Sequence, residues 1–304
     1  MIPMLNVYEQ IDRNKRRSMV IMVLFVLFVF LVAWFFTRVF EYGSGMVSVA
    51  LIFAGLASFG SYWWGDKIIL TISRARPASR KKDFHFFTVA ENLAMANQIP
   101  APRLYVIKDT ALNAFATGRD PQHAVVCATS GLLAKLDRTE LEGVIAHELS
   151  HIKNYDTRLM GVVAVLVGMI TLLADWFLRG ALFGRRGQRE KSGNLGAILF
   201  LAGLFLALLS PLIAQLIQLA ISRRQEFLAD ASAAKLTRFP EGLARALEKI
   251  AKDKEPLEAA NKATAHLYIT NPLKNRHDQI GWFASFFKTH PPVAERIKAL
   301  KQMS

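Results

Sequence analysis

The sequence contains 18 consecutive residues without a charged side chain, from Met19 to Phe36. A helix of about 20 apolar residues is long enough to cross the hydrocarbon core of a bilayer, so this run predicts a membrane span. The basic cluster at 13–17 precedes the run, which ends in bulky aromatic residues. A cleaved signal peptide has a shorter apolar region and ends in small residues, so we expect a retained anchor.

A second apolar run covers 45–65 and ends in the aromatic residues 62–64. Basic residues precede the first span and follow the second, and the positive-inside rule therefore places both flanks in the cytoplasm. These features predict an N-terminal anchor over 1–66 with two spans, at about 19–39 and 45–65.

Two further apolar runs, 159–177 and 195–221, fall within the segment 158–221. The stretch between them, 179–194, is strongly basic. If both runs span the bilayer, this basic loop is external, against the positive-inside tendency. If they do not, they form a hairpin that dips into the cytoplasmic face or lies on it. The sequence leaves both arrangements open.

Composition supports membrane helices combined with a polar domain, because 52% of residues are hydrophobic while 20% are charged. The formal net charge is +14, but the basic residues are dispersed or flank apolar runs. This distribution favours an anionic lipid bilayer as partner and argues against nucleic acid. Cys127 is the single cysteine, which excludes an intrachain disulfide and a cysteine-based zinc cluster. We expect Cys127 to be a small buried hydrophobe.

The remaining segments predict a small α/β region at 67–157 and a mainly helical tail at 222–304. The predicted elements are a helix over 84–99, strands within 102–109 and 123–132, a hairpin turn at 118–121, and a helix from Thr139, its N-cap, to Asn154. The predicted fold class is therefore a mainly α membrane protein, with four apolar helices and an α+β domain that contains a small β-sheet.

The motif "HELSH" at 147–151 has the spacing of a zinc site. Residues four apart lie on one face of a helix, so His147 and His151 can bind one Zn²⁺ at about 2.0–2.1 Å. Glu148 then faces the metal-bound water and can accept its proton. The alternative interpretation is a pair of solvated histidines.

A catalytic zinc needs a third protein ligand, and the stretch "SRRQEFLADASAAKL" at 222–236 offers Glu226 and Asp230. Their spacing places both carboxylates on one helix face, where one can bind the metal and the other can accept the second N–H of a ligating histidine. The spacing is equally typical of a solvated acidic face.

Together with "NAFATG" at 113–118 and "HPPVAERIKAL" at 290–300, these motifs resemble the HtpX family of bacterial membrane metalloproteases, relatives of the eukaryotic CAAX prenyl proteases. The resemblance implies a cytosolic zincin-like domain with one Zn²⁺ per chain. It implies that His147, His151 and Glu226 are the zinc ligands, that Glu148 is the general base, and that Asp230 supports a ligand.

Two accessory motifs extend the predicted site. The substrate-binding candidates are Asn113, Ala114, Phe115 and Ala116, which form either an exposed edge strand that a substrate joins or an ordinary core strand. His290 and Arg296 match a family motif and are candidate catalytic residues. His290 either donates a hydrogen bond to the developing oxyanion or is a polar loop residue before two prolines.

The resemblance implies an endopeptidase that removes misfolded or damaged membrane proteins under stress, acting at the cytoplasmic side of a bacterial inner membrane. A catalytically silent scaffold or chaperone is the alternative. A zinc transporter or sensor is less favoured, since it would need more ionisable residues within its spans than Asp175. The oligomeric state is left open.

Overall fold

The computed structural model describes residues 7–39, 45–183, 223–253, 255, 257, 267–269 and 291–303. Within these residues the protein is mainly helical. Helices α1 to α9 span Val7–Val39, Gly45–Ile72, Phe84–Ala96, Ser130–Lys135, Arg138–Lys153, Asp156–Phe183, Arg223–Thr237, Pro240–Lys252 and Val293–Lys301. Strands β1 to β4 span Arg76–Pro77, Arg103–Ile107, Ala114–Thr117 and Val125–Thr129, and a 3₁₀ turn covers Pro121–His123.

The four strands form one small mixed sheet in the order β1-β2-β4-β3. β2 pairs with β4 in parallel, while β1 pairs with β2 and β3 pairs with β4 in antiparallel orientation. The predicted small sheet is confirmed, and its hairpin is formed by β3 and β4. Gly118, in the hairpin loop, has a φ of 127°, a backbone conformation that favours glycine.

Both faces of this sheet are buried. Successive strand residues point to opposite faces. Val106 and Val126 belong to a core shared with α3, α5, α7 and α8. Phe115 and Cys127 point the other way, into a second core that includes Leu159 and other side chains of α1, α2 and α6. The α/β region is thus built directly onto the apolar helices.

Helix α5 begins with a capping box rather than with the predicted Thr139 cap. The Asp137 carboxylate accepts a hydrogen bond from the Glu140 backbone N–H, and the Glu140 carboxylate accepts one from the Asp137 N–H. Because Asp137 satisfies the first orphan donors, the helix starts at Arg138, one residue before Thr139. The prediction of Thr139 as N-cap is wrong.

Helix α5 lies at the centre of the domain, packed against α3, α7 and α8. Its contact with α8 depends on Gly143. A Cβ added there would lie 2.6 Å from the backbone nitrogen of Leu243, closer than any side-chain carbon can approach. This close approach holds α5 firmly against α8 along the turns that precede "HELSH".

The helices around the apolar runs are longer than predicted. α1 begins at Val7, well before the run that starts at Met19, and α2 continues to Ile72 rather than ending at 65. The predicted boundaries at 66 and 157 fall inside α2 and α6. The extended end of α2 is anchored by Ile69, which is buried in the core shared with α6.

The surfaces of α1 and α2 expose many large apolar side chains, as expected for helices in contact with lipid. The exposed residues include Met19, Val23, Leu24, Leu27, Leu31, Trp34, Val49, Ile52, Leu56, Phe59, Trp63 and Trp64. Among the described residues, the helix over Val47–Ile72 has the length and composition needed to cross a membrane. The fourth apolar run, 195–221, lies outside the described residues, so the four-span arrangement stays a prediction.

Cys127 is fully buried, and burial raises the pKa of its thiol far above the usual range. We expect the folded protein in detergent to resist labelling by iodoacetamide at pH 8 under conditions that label the unfolded protein completely, because the thiolate is the reactive form. Mass spectrometry of intact protein checks this. Rapid labelling of the folded protein would contradict the two-sided burial of the sheet.

Candidate active site

Helix α5 brings His147, Glu148 and His151 together in the protein interior, and all three side chains are buried. The helical spacing of four residues places the two imidazole rings next to each other, with centroids 4.7 Å apart. The Nε2 atoms of His147 and His151 are 3.1 Å apart. The alternative of two solvated histidines is therefore excluded.

Helix α7 adds Glu226, whose side chain is fully buried. Its carboxylate oxygens lie 3.7 Å from Nε2 of His147 and 3.5 Å from Nε2 of His151. The alternative of a solvated acidic face on α7 is excluded as well, since Asp230 is also fully buried.

Each histidine is held from behind by a carboxylate. Nδ1 of His147 lies 2.9 Å from Asp230, and Nδ1 of His151 lies 2.9 Å from Asp156. Since a carboxylate accepts, each Nδ1 donates its hydrogen and each Nε2 is left facing the other histidine and Glu226. Sequence reasoning identified Asp230 by its spacing but gave no role to Asp156, which stands five residues after His151 at the start of α6.

The three side chains His147, His151 and Glu226 fit a metal ion. A tetrahedral ion with bonds of about 2.0–2.1 Å holds its ligand atoms roughly 3.3 Å apart. The two Nε2 atoms are 3.1 Å apart, and the Glu226 oxygens Oε1 and Oε2 lie 3.5 Å from His151 Nε2 and 3.7 Å from His147 Nε2, close to this value. The three residues form a buried group that could hold a metal ion, and two imidazoles with one carboxylate suit zinc.

The surroundings shift the pKa values of the two histidines in opposite directions. Burial lowers the pKa of His147 to about 4, although the hydrogen bond to Asp230 works against this. Burial also disfavours a charged His151, but the hydrogen bond to Asp156 and the charge of Glu226 contribute to raising its pKa to about 9. A proton and a metal ion therefore compete for the facing Nε2 atoms.

Arg296, on α9, is fully buried, and its Nη2 lies 3.4 Å from Nε2 of His147. Its Nε and Nη2 donate to the two carboxylate oxygens of Asp230 at 2.8 and 2.7 Å, and Nη1 lies 3.4 Å from Glu226. Such contacts allow Arg296 to position Asp230 and Glu226, and its predicted catalytic role stays a prediction. His290 lies outside the described residues, and its predicted role stays a prediction.

Strand β3 lies at one edge of the described sheet, and all four of its residues are buried. It is therefore both an edge strand, as substrate pairing would require, and a strand of the core. Asn113 precedes β3, and its backbone carbonyl accepts from Thr129 on the β4 side. Backbone groups alternate along a strand, so those of Ala114 and Ala116 point away from β4. The Phe115 side chain packs instead against Tyr268, with ring centroids 5.1 Å apart.

Sequence reasoning missed the segment 267–269, which lies along this edge. The Ile269 backbone N–H donates to the Ala114 carbonyl at 3.0 Å, and the Ile269 carbonyl accepts from Arg296 at 3.2 Å. A small cavity in front of the metal-binding group is lined by Ala116, His147, Glu148, His151, Met160, Glu226, Leu267 and Ile269. The edge of β3 and the predicted general base thus border the same space.

Removing the carboxylate of Glu226 should abolish tight metal binding. We expect the affinity of Glu226→Ala for Zn²⁺ to fall by at least about 100-fold, more than the loss typical of an outer partner. Competition with a fluorescent chelator on the full-length protein measures this. Glu295→Ala, which removes an exposed carboxylate, is the control and should bind like the wild type. Equal affinities in the two variants would exclude Glu226 as a ligand.

The model of peptidase family M48 matches residues 81–304. A "Protease HtpX homolog" of Dictyoglomus thermophilum is 45% identical over 296 residues, which cover 97% of this chain and 94% of that protein. The protein of the same name in Caldanaerobacter subterraneus subsp. tengcongensis is 44% identical over 299 residues, covering 98% of each chain. The crystal structure of S. mikatae Ste24p is similar at a TM-score of 0.47 and 20% identity, covering 90% of this chain and 61% of that one. The resemblance to HtpX proteases is confirmed.

Proposed function

The chain belongs to peptidase family M48, and we propose that this membrane metallopeptidase cleaves misfolded or damaged membrane proteins at the cytoplasmic face of a bacterial inner membrane. The observation that carries the proposal is the convergence of two buried imidazoles and the Glu226 carboxylate beside Glu148. The proposed reaction is peptide-bond hydrolysis by zinc-activated water.

His147, His151 and Glu226 would hold one Zn²⁺ per chain. A bound Zn²⁺ lowers the pKa of water to about 7 and polarises a carbonyl group. Asp230 and Asp156 accept the Nδ1 hydrogens, which fixes both imidazoles with Nε2 toward the ion. The ligands therefore need no reorientation when a substrate binds.

Glu148 is the proposed general base. It is buried and lines the cavity in front of the three ligands. As the residue next to His147 on the same helix, it lies close to the metal without belonging to the group of three ligands. Its carboxylate would take a proton from the attacking water and pass it to the leaving amine.

The edge of β3 supports binding of an extended substrate. The Ala114 carbonyl already accepts from the Ile269 backbone N–H, which supports pairing of this edge with an extended backbone. Ala116 borders the cavity at the metal ligands. A substrate strand that replaces Ile269 on the Ala114 carbonyl and continues along Ala116 would place its backbone across the site, with affinity from main-chain hydrogen bonds and little demand on sequence. Low sequence demand suits the removal of damaged proteins.

The position of the site relative to the apolar helices supports membrane proteins as substrates. Only Asn154 and Tyr155 separate α5, which carries the histidines, from α6, which carries the third apolar run. The basic clusters at 13–17 and 73–82 flank the two N-terminal runs and support a cytoplasmic site. Cytosolic loops or extracted segments of membrane proteins would reach the site first.

Glu148→Gln should retain zinc and lose hydrolysis, because the amide cannot take a proton. We expect cleavage of unfolded casein by the zinc-loaded, detergent-purified protein to fall by at least about 100-fold, within the range of general-base losses. Gel electrophoresis of the casein follows the reaction. Glu142→Gln, on the same helix, should cleave like the wild type. Undiminished cleavage by Glu148→Gln would exclude it as the base, and an inactive wild type with bound zinc would favour the scaffold alternative.

Pairing with β3 predicts which substrate amides matter. In a peptide substrate, replacing a single backbone amide with an ester removes one N–H donor. We expect kcat/KM to fall about fivefold for an ester at either of two substrate residues, i and i+2, whose N–H groups face β3, since one hydrogen bond contributes about 1 kcal/mol. The ester at the position between them is the control and should leave kcat/KM unchanged. Equal effects at all three positions would contradict strand pairing.

A further inference from the structure

We propose that Asn14, on the N-terminal helix α1, is a positioning residue of the active site and acts on the ligand His151 through Asp156. The proposal rests on the function proposed above, because it takes His151 to be a metal ligand. It assigns a part of the site to a helix that precedes the residues matched by the peptidase family model, 81–304.

The contacts form a continuous buried chain from α1 to the metal ligand. Nδ2 of Asn14 donates to Oδ1 of Asp156 at 2.7 Å, and Oδ2 of Asp156 accepts from Nδ1 of His151 at 2.9 Å. Gln225, on α7 next to the ligand Glu226, donates to Asp156 Oδ1 at 2.8 Å and to Asn14 Oδ1 at 3.1 Å. Asn14 and Asp156 are fully buried, and Gln225 is almost so.

The amide of Asn14 fits its place in only one orientation. Nδ2 also donates to the backbone carbonyl of Asn154, at 2.9 Å, so both of its acceptors are oxygens. The reversed amide would put its carbonyl against the Asp156 carboxylate and leave buried groups without partners, which costs about 1–3 kcal/mol per group. The Asn154 carbonyl, the Asp156 carboxylate and the Gln225 amide thus together specify asparagine.

The consequence for His151 follows from the geometry of a carboxylate. Two donors, Asn14 and Gln225, hold Oδ1 of Asp156, and this fixes the rotation that turns Oδ2 toward His151. Tyr155, between Asn154 and Asp156, adopts a φ of 60°, so the chain turns sharply at this point. The bond from Asn14 to Asn154 ties this turn to α1, and α1 thereby contributes to the geometry of the metal site.

The first test is the Zn²⁺ affinity of the full-length protein in detergent, measured by chelator competition for the wild type and Asn14→Leu. Leucine has a similar size but cannot donate. We expect a 10- to 100-fold loss, as for outer partners of metal ligands. Ser18→Ala is the control. Ser18 is also buried on α1, but its hydroxyl bonds the α1 backbone carbonyl of Asn14, so the affinity should stay within twofold.

The second test separates positioning from a general effect on the fold. If Asn14 acts through Asp156, then Asn14→Leu should change the Zn²⁺ affinity little when Asp156→Asn is already present, whereas independent effects would add. We expect kcat for casein to fall and KM to stay unchanged in Asn14→Leu. Asn14→Ala serves in the same cycle if the leucine variant does not fold.

Affinity within twofold of the wild type in Asn14→Leu, or full additivity in the cycle, would overturn the proposal. If the wild type nevertheless binds zinc and cleaves casein, the proposed function still holds and only the role of Asn14 is lost. A wild type that binds no zinc would overturn both.

Discussion

Two imidazole Nε2 atoms 3.1 Å apart in the protein interior impose the constraint around which the described fold is arranged. Each ring gives its Nδ1 hydrogen to a carboxylate, so the two inner nitrogens present lone pairs toward the same point. Only a proton or a metal ion between the two Nε2 atoms relieves the repulsion between their lone pairs. Helix α5 carries both rings, α6 and α7 carry the supporting acids, and α9 supplies Arg296.

The charges around the two histidines also favour a bound cation. Four buried carboxylates, Glu148, Asp156, Glu226 and Asp230, surround the histidines, and Arg296 is the fully buried cation among the described residues there. Their formal charges sum to −3 with neutral histidines, and buried charges without compensation are costly. A divalent cation reduces the excess to −1. The same ion would balance these charges and supply the chemistry, which explains why so many polar groups are buried together.

The sequence predicts the chemistry of the site better than its surroundings. The spacing of His147 and His151 requires only helix geometry, and Glu226 with Asp230 follows from the same rule. Asn14 and Ile269 reach the site from far along the chain, and Gln225 contacts Asp156 across 69 residues, so no local periodicity marks these contacts. The Thr139 cap failed because the Asp137–Glu140 capping box competes two residues earlier. The two-sided burial of β3 and β4 depends on where α2 and α6 pack, which strand patterning does not reveal.

The metal centre itself provides the most direct test. An X-ray absorption spectrum at the zinc edge, recorded on the zinc-loaded full-length protein in detergent, reports the elements bound to the ion and their distances. Coordination by His147, His151 and Glu226 predicts nitrogen and oxygen ligands at about 2.0–2.1 Å, with the multiple scattering of two imidazoles. A sulfur ligand from Cys127, or a third imidazole, would contradict the assignment of His147, His151 and Glu226.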